Sequence, residues 1–398
     1  MIEDRRRSIV QEEIISRHQL ERMVLKGNWD GIVCAIHDVN LHLRGEDAMF
    51  ETRTQSSQNH IHLSTYPDNH KNIVEEVLEI LKSGNVILEL LEDEKDDKNA
   101  HELLSILITM AGKDLLMERH NFTCYGEEDS SGDECCGTLL QAALGFGSSA
   151  KAVSKLIEVG GRELVRAKAK DGRNAIHFAC IYHASVTVVS ELLEVGGVDI
   201  LQEKYRHRSP LFFAIRHRYR SSVEVVSKLL EVGGLDLLLE KNKYGSNVLH
   251  EACVNNALIE IISELLSVGG RDVLEKNKSG RTPLHYACWA DAPVEVISKL
   301  IDFGGRKLIY EKDGQGYNAL HSALVESVSA EVVSKLLKVG GSDLVCDKDR
   351  TGRSPFDLFF ENPDAPTEVL LILIEAGGRS FILEKDTKGR NTLSKFIK

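Results

Sequence analysis

Apolar and polar positions alternate along the chain in one pattern that keeps returning. Its plainest copy contains VEVISKLIDF at 294–303. There Val296, Ile297, Leu300 and Ile301 recur at helical spacing, with Glu295, Ser298 and Lys299 between them. This is one apolar stripe on a helix whose other faces meet water. A shorter apolar stretch, PLHYACW at 283–289, precedes it. Thr282 and Pro283 open that stretch as an N-cap and a first helical residue. Ser209 with Pro210 and Ser354 with Pro355 repeat the signal, and Asn174, Asn247 and Asn318 put another good cap in the same place. Small residues near the end of the short helix, such as Ala287 and Cys288, predict close approach of a neighbour.

The punctuation between these helices is equally regular. A glycine pair stands at 160–161, 196–197, 233–234, 269–270, 304–305, 340–341 and 377–378, in steps of 36, 37, 36, 35, 36 and 37 residues. A period in this range signals a repeat architecture. Gly304 is expected to supply the left-handed residue that ends the second helix. A turn then closes each unit, with Asp or Asn first and Gly fourth: Asn242 to Gly245, Asn277 to Gly280, Asp313 to Gly316, Asp349 to Gly352 and Asp386 to Gly389.

The unit closely resembles the ankyrin repeat, whose signature runs G-x-T-P-L-H-x-A-A. Gly280, Thr282, Pro283, Leu284, His285 and Ala287 match it. So do Gly172, Ile176, His177 and Ala179; Gly245, Leu249, His250 and Ala252; and Gly316, Leu320, His321 and Ala323. The resemblance implies an all-α solenoid of helix-turn-helix repeats joined by finger loops. The copies here run to about 36 residues where the family has 33, and Gly stands where the family usually has Ala. These departures are expected to lengthen the finger and leave the helix pair unchanged. Residues 138–398 read as seven regular copies, starting at Thr138, Asn174, Ser209, Asn247, Thr282, Asn318 and Ser354, plus a half repeat from Asn391. Residues 1–137 read as a divergent front of two or three copies, with second-helix patterns at 73–84 and 102–112, a first-helix start at 59–63, a capping pair at 20–36 and an acidic loop at 118–137.

Charge divides the chain. The net charge of −12 comes from the front: residues 1–137 hold 28 acidic and 14 basic residues, the remainder 33 and 35. An acidic front argues against nucleic-acid binding. No run of 18 apolar residues is present, the start MIEDRRRSIVQEE is charged, and the end SKFIK matches no lipidation or retention signal. Cytoplasm or nucleus is the expected location, with no membrane partner. Cys180, Cys253 and Cys288 fall at one repeat position, where neighbours about 8–10 Å apart lie beyond disulfide reach. They are expected to be small buried thiols.

The candidate chemistry is thin. His177, His250, His285 and His321 recur at the third helical position, where a side chain can bond the cap, so they read as scaffold. The segment 145–151 fails the spacing of a phosphate loop. His120, Cys124, Cys135 and Cys136 offer donors to zinc, and Ser130 and Ser131 carry the acidic residues Asp133 and Glu134 three positions on, a setting for phosphorylation, but the spacing matches no familiar zinc knuckle and the expected state of 118–137 is a long acidic loop. No catalytic residue, metal or cofactor is assigned. What remains is a surface. Arg206, His207, Arg208, Arg216, His217, Arg218, Tyr219 and Arg220 form a basic cluster suited to an acidic protein or phosphopeptide. Tyr182, Tyr244, Trp289 and Tyr317 add the aromatic anchors common at interfaces. The expected role is a non-enzymatic protein-interaction scaffold that binds a protein or peptide on its concave face. The alternatives are a substrate-recruiting adaptor subunit, or an unrecognised enzymatic or metal site in 1–137.

Overall fold

The computed structural model describes residues 88, 90–91, 98–124, 133–216, 222–325, 329–361 and 366–383. The expected elements at 20–36, 59–63 and 73–84, the turn at Asp386 to Gly389 and the half repeat from Asn391 lie outside these residues. The chain packs as two units, Met1–Gly197 and Val198–Lys398.

In the first unit, α1 (Lys98–Met117) includes the helix expected at 102–112. An antiparallel ribbon follows, β1 (His120–Cys124) with β2 (Asp133–Gly137). Its register pairs His120 with Gly137 and Cys124 with Asp133. The ends of the expected acidic loop thus pair as an antiparallel two-stranded ribbon, where all-helical structure was expected. Then come α2 (Leu139–Phe146), α3 (Ala150–Arg166), α4 (Ala175–Ile181) and α5 (Val186–Gly196). Helix α3 packs between α1 and α5, and α2 packs on α4 and the ribbon.

The second unit repeats that plan. Short first helices α7 (Pro210–Arg216), α9 (Val248–Val254), α11 (Pro283–Trp289), α13 (Ala319–Val325) and α16 (Pro355–Glu361) pack in one row, each on the next. Second helices α8 (Val223–Leu239), α10 (Ile259–Gly269), α12 (Val294–Tyr310), α14 (Ala330–Gly340) and α17 (Thr367–Leu383) form a parallel row. Three short elements follow glycine pairs, α6 (Asp199–Gln202), α15 (Asp343–Cys346) and a 3-10 helix at Asp272–Leu274. The stripe read from sequence is the core: Val296, Ile297, Leu300 and Ile301 are all buried, as are Ala287 and Cys288.

The glycine pairs divide their labour in a way the pattern did not reveal. The second glycine, not the first, takes the positive φ: Gly161 (φ 61, ψ −158), Gly234 (59, −155), Gly305 (68, −170) and Gly378 (63, −164). This region is open essentially to glycine alone, which accounts for the missing alanine. The first glycine stays helical and is kept small by a neighbour. A Cβ on Gly304 would overlap the Leu308 side chain, and one on Gly340 that of Leu344.

The extra residues do not simply lengthen the finger, as expected. They wind a further helical turn after the kink, which buries a second apolar pair in the copies whose side chains are described there. These pairs include Leu164 and Val165, Leu237 and Leu238, Leu308 and Ile309, and Leu344 and Val345. The long variant thus gains core as well as reach.

Candidate partner-binding surface

The fingers are built by one recurring contact. Asp313 accepts the Gln315 N–H at 2.8 Å and the Tyr317 N–H at 2.9 Å through the same Oδ1. Asn277 does the same for Ser279 and Arg281, and Asp349 for Thr351 and Arg353. A side-chain oxygen that mimics a backbone acceptor fixes the turn locally. Neighbouring tips are then joined through backbone: Lys278 N–H donates to Tyr244 O (3.1 Å), Gly314 to Ser279 (2.8 Å) and Arg350 to Gln315 (3.0 Å).

The finger at 205–208 departs from this plan. It is a two-residue hairpin in which Tyr205 and Arg208 exchange both backbone hydrogen bonds at 2.9 Å. Its tip residues Arg206 (φ 48) and His207 (φ 64) both sit at positive φ. Such a turn selects Asn-Gly, so Arg and His here hold strained backbone in an exposed position. The Arg206 guanidinium lies 5.2 Å over the Tyr205 ring.

The basic cluster therefore splits. Arg206 and His207 are exposed. Arg208 and Arg216 instead converge on Glu251 of the next repeat, at 3.6 and 3.9 Å. His217, Arg218, Tyr219 and Arg220 lie outside the described residues. The aromatic candidates split too. Tyr244 (56% exposed) and Trp289 (44%) face solvent. Tyr317 stacks on His321 and accepts a 2.7 Å hydrogen bond from Arg353. Tyr182 packs against Phe178, with its hydroxyl 3.5 Å from Arg173.

The recurring histidines are structural. His285 Nδ1 accepts the Thr282 N–H at 3.1 Å and lies 2.7 Å from the Thr282 hydroxyl. Its Nε2 lies 2.9 Å from Tyr317 O, at the base of the next finger. With a carbonyl at Nε2 and an N–H at Nδ1, the imidazole is neutral and protonated on Nε2. His250 and His321 make the same pair of contacts, ending on Arg281 O (3.1 Å) and Arg353 O (3.3 Å). Burial pulls both pKa values down to about 4, against the raising effect of those carbonyl bonds. His250, His285 and His321 thus each cap their own helix and tie it to the next repeat, and His177 makes the capping contact with Asn174.

The cysteines behave as buried apolar groups. Cys180, Cys253 and Cys288 are free and buried. Burial pushes the Cys180 thiol up to about 12 and the other two also upward. In the ribbon, Cys135 pairs with Phe122 and Cys136 with Asn121, so adjacent cysteines fall on opposite faces. The buried Cys135 lies 3.0 Å from the Arg173 guanidinium. Among the described residues no group of three His, Cys, Asp or Glu side chains is placed to hold a metal. The segment 145–151 is the end of α2, its left-handed cap Gly147 and the start of α3.

One signal in the sequence went unread. An acidic residue precedes a lysine at the base of successive fingers: Glu203 and Lys204, Glu240 and Lys241, Glu275 and Lys276, Glu311 and Lys312. In the fold each lysine reaches the acid of the following repeat. Lys204 meets Glu240 at 3.4 Å, Lys241 meets Glu275 at 2.8 Å, Lys276 meets Glu311 at 2.7 Å and Lys312 meets Asp347 at 2.6 Å.

Comparison with known proteins agrees with this architecture. A family model for ankyrin repeats, in three copies, matches residues 139–239, 222–307 and 249–348. Among solved structures, the chain is similar to the ankyrin repeat domain of Bcl-3, described as a unique member of the IkappaB protein family. The identity is 24% over 59% of this chain and 96% of that one, with a TM-score of 0.46. It is also similar to EF0377, an ankyrin repeat protein, at 21% identity over 50% and 96% of the two chains, with a TM-score of 0.42. No curated relative matches the chain.

Proposed function

The chain belongs to the ankyrin-repeat family, and on that premise we propose that it is a scaffold whose fingers and first helices hold a partner protein. Ankyrin repeats mediate protein–protein interaction and are typically non-enzymatic modules. The observation that carries the reading is a division within each repeat. Among the described residues the recurring histidines and cysteines are committed to packing and capping, while Arg206, His207, Tyr244 and Trp289 project from fingers and a first-helix end. Exposed aromatic and arginine side chains on a rigid support are what interface anchors require.

The partner in this reading is a protein or peptide, acidic where it meets the basic fingers. It is not nucleic acid. Among the described residues no helix is long and apolar enough to cross a membrane. Cytoplasm or nucleus fits the row of free buried thiols.

Crosslinking in the native cell followed by mass spectrometry tests the proposal. Partners should crosslink at fingers and first helices, and Tyr244→Ala with Trp289→Ala should weaken the principal one at least ten-fold. Crosslinks confined to the second helices, or an unchanged affinity in the double variant, would overturn it.

A further inference from the structure

Each of several fingers in the second unit carries two cations that are treated differently. The cation at the base is neutralised by the next repeat through the lysine ladder already described. The cation at the tip is not. Arg206, Lys243, Lys278 and Arg350 are all exposed, and none has an ion-pair partner among the described residues. No exposed carboxylate accompanies them on the tips. Asp313 and Asp349, the acids of these turns, are buried and accept backbone N–H groups.

Three features make this row a surface rather than four separate charges. The tips from Tyr244 to Arg350 are joined by backbone hydrogen bonds, so the cations ride on a connected ribbon. The finger at 205–208 accepts positive φ at two non-glycine residues and thereby presents Arg206 and His207 at its tip. The row also runs against composition, because the protein as a whole carries a net charge of −12.

We infer that the finger tips of the second unit form a binding strip for an extended acidic polypeptide; this rests on the scaffold reading above. Neighbouring repeats stand about 10 Å apart, and an extended chain in the polyproline II form rises about 3.1 Å per residue with three residues per turn, which brings every third side chain to one face. Carboxylates about three residues apart would therefore meet successive tips. Gly314 interrupts the row, which leaves a double step between Lys278 and Arg350.

A single-stranded nucleic acid fits less well. Stacked bases need open aromatic faces. The Lys243 ammonium lies 4.8 Å over the Tyr244 ring and the Arg206 guanidinium over Tyr205. One face of each of these rings is thus occupied by its own cation.

The test uses the full chain and labelled 20-residue peptides in fluorescence anisotropy at low salt. One peptide has Glu at every third position, a second has the same composition with all Glu at one end, and a 20-nucleotide RNA serves as the rival. The spaced peptide is expected to bind most tightly. The triple change Lys243→Glu, Lys278→Glu and Arg350→Glu should weaken it at least ten-fold, and the glutamine versions by an intermediate factor. Circular dichroism should be unchanged, because these side chains are exposed. Less than a two-fold loss on charge reversal, equal binding of the clustered peptide, or tighter binding of RNA would overturn the strip. A cellular partner that still binds the reversed chain at full strength would leave the scaffold standing and remove the strip alone. Failure of the wild-type chain to capture any partner would instead count against the scaffold.

Discussion

At the scale of single residues, this protein places its histidines where protonation opposes folding. His250 and His321 titrate near 6.5 when unfolded and at about 4 when folded, because burial disfavours the charged ring. Between those values the unfolded chain binds more protons, so stability falls as pH drops from 6.5 towards 4 and is fully present above that window. A shift of that size corresponds to about 3 kcal/mol per histidine. The protein itself supplies the control. Gln141 occupies the equivalent position after Thr138, accepting the Thr138 N–H at 2.9 Å and donating to Ala167 O at 2.8 Å. The double variant His250→Gln with His321→Gln should fold and lose much of its acid sensitivity, as read by urea denaturation from pH 7 to 4. An unchanged pH slope would refute the assignment. The glycine pairs make a second residue-scale test. Gly305→Ala forces a side chain onto φ 68 and ψ −170, which should cost about 1–3 kcal/mol. Conversely, His207→Gly relieves a left-handed residue at an exposed tip and should raise stability by up to about 1 kcal/mol.

At the scale of elements, the helix pair was legible in the sequence and the third helical turn was not. Apolar spacing and caps announce α11 and α12 because both signals are local. The turn after Gly305 holds only two buried residues, Leu308 and Ile309, too few to show a period of their own. Which glycine bends was hidden for a similar reason. Both are glycine in the string, and only the leucine four residues on shows why the first must be small. The ribbon of β1 and β2 was hidden because its alternation spans only five residues on each side of a polar stretch of sequence. If the added turn is core, Leu308→Ala should cost about 2–5 kcal/mol. Removing a base-of-finger lysine, as in Lys276→Ala, should cost under about 1 kcal/mol, because its pair with Glu311 is partly exposed. Equal losses for the two would mean that the ladder, not the turn, joins the repeats.

At the scale of the whole molecule, the candidate surface was only partly visible because a string of arginines does not show which ones find partners. Arg208 and Arg216 meet Glu251, which lies 35 or more residues further along the chain, a contact created by stacking. Arg206 and Arg350, at the tips of their turns, stay exposed and meet no carboxylate among the described residues. The same stacking logic governs how damage spreads. In a repeat array each unit touches only its neighbours, so stability is close to a sum of unit and interface terms. Within the second unit, α11 packs on α9 and α13, and α12 on α10 and α14. Leu308→Ala should therefore speed hydrogen exchange in α10 through α14, where the weakened repeat forms interfaces. Helix α7, separated from α11 by α9, should keep most of its protection. Mass-resolved exchange on the full chain reads this directly. A uniform rise from α7 to α17 would mean that the second unit opens as a single block, and the nearest-neighbour account would have to be abandoned.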